Sequence, residues 1–155
     1  MGLEFIHLMG EIMGKLINLL AAATVALSFT MCTSNSEIPV ESNWELEYIY
    51  SEGNATEPPQ DHNATLAFLK DSKIAGETGC NRFFGEYKSE GNSLSFDKVG
   101  TTRMMCPQMQ FETAWLETIA KTGSFEMDQD QMILKDSTGN IIALLKKIAP
   151  QALEN

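Results

Sequence analysis

Gly79-Cys80-Asn81-Arg82-Phe83 sets a thiol, a carboxamide, a guanidinium and an aromatic ring side by side, and a second thiol follows at Cys106. A nucleophilic cysteine needs a base to take its proton. Beyond the N-terminal apolar run the chain offers only His62, in a Pro-rich acidic loop remote in sequence from both cysteines. Zinc needs four ligands in a recognisable spacing, which two cysteines and one histidine do not supply. Asn81 and Arg82 could instead face an anionic ligand, since a guanidinium pairs with a carboxylate through two parallel hydrogen bonds. The competing account is structural: Gly76 and Gly79 relieve a bend, Asn81 bonds a turn, and Arg82 faces solvent or pairs with an acid such as Glu86. Glycine-flanked asparagine is common turn chemistry, which favours that account. No catalytic residue, metal centre or cofactor is expected. The candidate binding residues are Asn81, Arg82, Phe83 and Trp115.

Other clusters are weaker. Glu126, Asp128, Asp130 and Asp136 could hold calcium, but no EF-hand spacing is present and acidic hairpin turns are usually solvated. Met104, Met105 and Met109 could offer soft ligands or a peptide surface, yet methionine beside a helix start is expected to fill core. Asn54-Ala55-Thr56 and Asn63-Ala64-Thr65 match the glycosylation sequon and are read as chance.

The elements that position these residues must come from 155 residues carrying 11 basic and 21 acidic side chains. That length fits one domain plus a targeting segment. Leu16 to Met31 is an apolar run preceded by Lys15, too short for a membrane span and suited to a secretory signal. Residues 1–31 are therefore read as a signal peptide whose natural start is Met13, because the first twelve positions carry Glu4 and Glu11 and no basic residue. Cys32 ends the apolar run and Thr33 to Glu37 is polar, which resembles a bacterial lipoprotein signal with Cys32 acylated after cleavage. An uncleaved anchor and plain secretion are the alternatives. Of the charged residues, a chain beginning at Cys32 keeps 10 basic and 19 acidic ones, a net charge of about −9. With basic residues scattered, nucleic acid is not an expected partner. Outside the cytoplasm, Cys80 and Cys106 can oxidise to a disulfide; two buried free thiols are the other possibility.

Residues 32–42 read as a linker. Trp44, Leu46 and Tyr48 alternate on one face of a first strand, Leu66 and Phe68 mark a second, and Lys73 to Gly76 opens a third. Phe83 to Lys88, Ser93 to Phe96 and Val99 to Met104 read as further extended runs. Pro107 stands where a helix begins. From Gln108 to Lys121, Phe111, Ala114, Trp115, Thr118 and Ile119 fall on one stripe, with Glu112 in the first turn and Gly123 as the stop. Phe125 to Met127, Met132 to Leu134 and Ile141 to Lys147 complete two hairpins, leaving 148–155 as a tail. The fold class is mainly β with one α-helix, a small antiparallel meander. Closure into a barrel removes exposed edges, with Phe111 and Trp115 plugging one end.

Gly79-Cys80-Asn81-Arg82 entering a strand, followed by Thr102-Arg103-Met104-Met105-Cys106-Pro107 just before a helix, resembles the META domain, or HslJ-like, family across residues 43–147. The resemblance implies a barrel-like β domain with a single helix, and an association with heat induction and drug tolerance. The expected protein is a non-enzymatic lipoprotein of the bacterial cell envelope, held at the outer membrane by its lipid anchor and acting in envelope stress or maintenance through binding. Two alternatives carry different partners: a lipocalin-like carrier of a small apolar ligand, its mouth lined by Trp44, Phe83, Phe84 or Trp115, and an inhibitor or interaction module for an envelope protein.

Overall fold

Alternating apolar residues produce strands that each bury one face, and in the computed structural model these strands pair into one closed sheet. The structure describes residues 37–60, 63–107 and 109–149. The signal reading of 1–31, the Met13 start, the acylation site Cys32, His62, Gln108 and all of the 148–155 tail but Ile148 and Ala149 lie outside the described residues.

The described residues form nine strands: β1 (Ser42–Ser51), β2 (Asn54–Thr56), β3 (Thr65–Phe68), β4 (Lys73–Glu77), β5 (Arg82–Glu90), β6 (Ser93–Thr101), β7 (Thr122–Asp128), β8 (Gln131–Asp136) and β9 (Ile141–Ile148). An α-helix, α1 (Met109–Lys121), joins β6 to β7. Every pairing is antiparallel, running β1-β3-β4-β5-β6-β7-β8-β9, and β9 pairs back to β1 to close an eight-stranded barrel. The short β2 folds back on the end of β1. Closure pairs the strand edges around this circuit except between β6 and β7, which meet only at Ser93 and Ser124.

The interior is filled by side chains, as a barrel of this strand number allows. Trp44, Phe68, Phe83, Trp115, Phe125 and Leu145 are all buried within one core cluster. The rings of Phe68 and Tyr87 meet edge to face, 5.1 Å between centroids, a favoured aromatic geometry. Phe111, Trp115 and Ile119 form the inward stripe of α1, so the helix closes the barrel with the two aromatics the spacing singled out.

Several expectations are corrected. Tyr48 does not continue the inward face of β1. Opposite β9 the strand gains one residue at Glu47, and this bulge turns Tyr48 outward and Ile49 inward, because one inserted residue reverses the side-chain phase. Val99 to Met104 is not a separate strand: β6 runs unbroken to Thr101 through a second irregularity, with Lys98 at φ 54°. The short β2 is not among the strands read from the sequence. Gly123 does not stop the helix. It lies within β7, where a Cβ would stand 2.9 Å from the backbone of Ser137, so close packing of two backbones demands glycine there. In the segment read as linker, Ile38 is buried and the Glu41 N–H donates to the Phe68 carbonyl at 2.8 Å.

Candidate functional site

The chain between β4 and β5 turns tightly, with Gly79 at φ 91°, a conformation that glycine adopts without steric cost. The turn is tied by the Thr78 N–H donating to the Asn81 carbonyl at 2.8 Å and the Asn81 N–H donating to Thr78 Oγ1 at 3.0 Å. Asn81 is thereby aimed inward and is only 1% exposed.

Its carboxamide uses both donors and its acceptor. Nδ2 donates to Glu112 Oε2 at 2.8 Å and to the Met104 carbonyl at 3.1 Å. Oδ1 accepts from the Met104 N–H at 2.7 Å and the Thr102 hydroxyl at 2.8 Å. The Thr78 hydroxyl reaches Glu112 Oε2 at 3.1 Å. Asn81 thus joins three segments: the β4–β5 turn, the Thr102 to Pro107 loop and the first turn of α1. A buried polar network is stable only when its members are satisfied, and this one nearly exhausts the amide's bonding capacity.

Glu112 is the acid of the helix's first turn, as the sequence suggests, but sequence reasoning missed its place in this network. It is buried. Its position three residues before Trp115 and seven before Ile119 puts it on the inward stripe, and that spacing was the available signal.

Cys80 and Cys106 form a disulfide beside this network, spanning 26 residues with 6.2 Å between Cα atoms, a normal separation for a bridge. The reading of two free thiols is set aside. Arg82, the next residue after Asn81, points outward because successive strand residues face opposite ways. Its side chain is 62% exposed and lies 3.7 Å from Glu77, its cross-strand partner in register. It does not pair with Glu86, whose carboxylate is held by Lys73 at 2.7 Å and Lys98 at 2.9 Å. Hydrogen bonds from these two lysines lower the Glu86 pKa to about 2.

The four candidate binding residues are therefore divided. Asn81, Phe83 and Trp115 are buried, while Arg82 alone reaches solvent. Phe84, expected at a barrel mouth, points outward and covers Gly100. Met104, Met105 and Met109 are not core filler. They are 57%, 95% and 44% exposed, because the main chain of Met104 is fixed by Asn81 with its side chain turned away from the core. A cleft of about 500 Å³ opens among Glu77, Cys80, Arg82, Thr102 and Met104. Among the C-terminal acids, Glu126 pairs with Lys135, and hydrogen bonds from Thr138 and Asn140 lower the Asp136 pKa to about 2. Among the described residues no group of three or more His, Cys, Asp or Glu stands close enough to hold a metal ion.

A closed antiparallel barrel plugged by one helix, with an Asn–Glu network and a disulfide tying the helix start to the β4–β5 turn, defines a specific class of small β domain. Residues 36–148 match the META domain, and the chain belongs to the META domain family. Over 121 residues it is 31% identical to heat shock protein HslJ of Escherichia coli strain K12, covering 73% of this chain and 86% of that protein. Among solved structures, an NMR structure of a protein from Burkholderia xenovorans is 26% identical, with a TM-score of 0.59 over 75% of this chain and 95% of the other. A crystal structure of a DUF4847 family protein from Bacteroides vulgatus shares the fold at 12% identity, with a TM-score of 0.50 over 73% and 96% of the two chains.

Proposed function

We propose that this protein is a non-enzymatic lipoprotein of the bacterial cell envelope, anchored at the outer membrane through Cys32, whose META domain sustains the envelope under stress by binding another component. One observation carries the reading. The groups that could have done chemistry are engaged with one another: the cysteines are bridged, and the Asn81 amide is committed to Glu112, Thr102 and Met104. What remains free at the motif is its outer surface. The heat shock name carried by the Escherichia coli relative supports a role under stress. The filled interior, with Trp44, Phe83 and Trp115 all buried, favours binding at the surface over carriage of a ligand inside the barrel.

The test is an intact mass, under non-reducing conditions, of untagged protein extracted from its native membrane fraction. A chain that begins at Cys32, carries acyl mass and lacks two hydrogens is the expected result. An unprocessed chain recovered from the soluble fraction overturns the anchored reading. Complementation of a deletion strain after heat challenge then separates anchor from domain: Cys32→Ser should fail to restore survival while wild type succeeds.

A further inference from the structure

We infer that the surface outside the disulfide, formed by Arg82, Arg103, Met104, Met105 and Met109, docks a protein segment in which carboxylates alternate with apolar side chains. The inference rests on the binding reading above and names the class of partner.

Arg82 and Arg103 are the only arginines in the 155 residues; both are exposed, and the fold sets their two segments side by side. The Thr102 N–H donates to the Arg82 carbonyl at 2.9 Å, and the Arg82 N–H donates to Thr102 Oγ1 at 3.1 Å, so Arg103 follows directly on the residue paired with Arg82. Among the described residues four basic side chains stand outside the close ion pairs: these two arginines on neighbouring segments, and Lys146 with Lys147 on β9. Among the described residues six lysines stand in ion pairs of 3.2 Å or less. Arg82 has only Glu77 at 3.7 Å, and Arg103 enters no ion pair among those residues. In a chain with 21 acids, two guanidiniums without a close internal partner are available to an external one.

The apolar half of the surface has the same character. Of the methionines on the described residues, Met127 and Met132 pack in or against the core, while the three beside the disulfide are exposed. Their loop is nonetheless fixed, by the bridge at Cys106 and by the bonds of Asn81 to Met104. Apolar side chains held outward on a pinned loop lower the ordering cost of binding, and methionine and arginine are both enriched in protein interfaces.

A carboxylate-bearing peptide fits better than an anionic bilayer. Lipid recognition by charge uses clusters of roughly four to eight basic residues, and here there are two, on a chain of net charge −10. The guanidinium fork matches a planar carboxylate in two-bond geometry.

The test uses the full-length protein in an uncharged detergent and measures binding of short peptides that alternate glutamate with leucine or phenylalanine. Binding is expected to weaken about tenfold in Arg103→Gln and further in the double variant with Arg82→Gln, and to weaken in Met105→Ser. It should be lost for peptides with glutamine in place of glutamate, and be unchanged by Lys147→Gln, which alters net charge equally on β9. All variants should keep the wild-type melting temperature. Undiminished binding by the double arginine variant, equal binding of the glutamine peptides, or no binding by the wild-type protein would each overturn the inference. So would displacement of the peptide by phosphatidylglycerol doped into the micelles, which would reassign the surface to lipid. An unprocessed N-terminus in the mass experiment leaves these outcomes untouched, so the two failures are distinguishable.

Discussion

Asn81 shows how a residue type suited to ligand binding can be absorbed by the fold. A surface asparagine bonding a turn is worth a fraction of a kcal/mol to about one. Removing this one, 1% exposed, leaves the buried Glu112 carboxylate with the Thr78 hydroxyl alone and takes the Asn81 partner from the Met104 N–H and the Thr102 hydroxyl. Asn81→Ala is expected to cost about 2 to 4 kcal/mol, because buried polar groups that lose a hydrogen-bond partner are the expensive outcome. Arg82→Gln, one residue on and exposed, should stay within about 0.5 kcal/mol. Urea midpoints at unchanged slope give both numbers, and similar costs for the two would refute the network's importance. Gly76 is a second single-residue dependence. A Cβ there would lie 2.1 Å from the Thr65 carbonyl oxygen and 2.5 Å from the Phe83 ring, where the backbone cannot simply yield. Gly76→Ala should destabilise by about 1 to 3 kcal/mol through overpacking, again read from the urea midpoint. A neutral result would mean that β3 and β4 can separate without cost.

At the scale of elements, Glu86 links three strands from the outside: it lies on β5 and takes Lys73 from β4 and Lys98 from β6. Its folded pKa, about 2 against an ordinary 4.5, fixes the sign of the linkage. The stabilisation is fully present above about 4.5, where the unfolded chain is also ionised, and is lost as pH falls towards 2. Asp136, held near 2 by its β8–β9 turn, acts in the same direction from its ordinary 3.8. The melting temperature should therefore fall between pH 4.5 and 2, and Glu86→Gln should flatten that fall while leaving a residual slope from Asp136. Parallel profiles for the two proteins would show that Glu86 contributes nothing. The strands themselves were legible because alternation is a local pattern. Leu66 with Phe68 and Leu94 with Phe96 announce an inward face without reference to any neighbour. The irregularities were not legible, since a bulge at Glu47 or a left-handed Lys98 is set by the register of the facing strand. Gly123 reads as a helix stop locally and is instead a close approach to Ser137, a contact that no short window of sequence contains. For the same reason the Cys80 and Cys106 pair was visible as a candidate bridge, whereas the Asn81–Glu112 bond, linking residues 31 apart, was not.

For the whole molecule, two independent restraints converge on one loop. The disulfide closes 26 residues, which on the chain-entropy account contributes about 3 kcal/mol, mainly by restricting the unfolded chain. Asn81 acts in the folded state, gripping Met104 through its N–H and its carbonyl. The barrel is a continuous ladder from β1 round to β9 except for a thin seam, where β6 meets β7 through the single pair Ser93 and Ser124. The loop and α1 connect the two strands at that seam, so holding the loop also holds the plug. Reduction should then lower stability by about 3 kcal/mol in urea while the loop keeps its native shape. The measurement that separates the restraints is amide exchange at Met104 in four states: wild type and Asn81→Ala, each oxidised and reduced. Protection should survive reduction in the wild type, weaken in oxidised Asn81→Ala, and collapse in the reduced variant, where neither restraint remains. Collapse on reduction of the wild type alone would show that the disulfide, not the asparagine, shapes the exposed methionine surface, and binding at that surface would then depend on whether the bridge is oxidised.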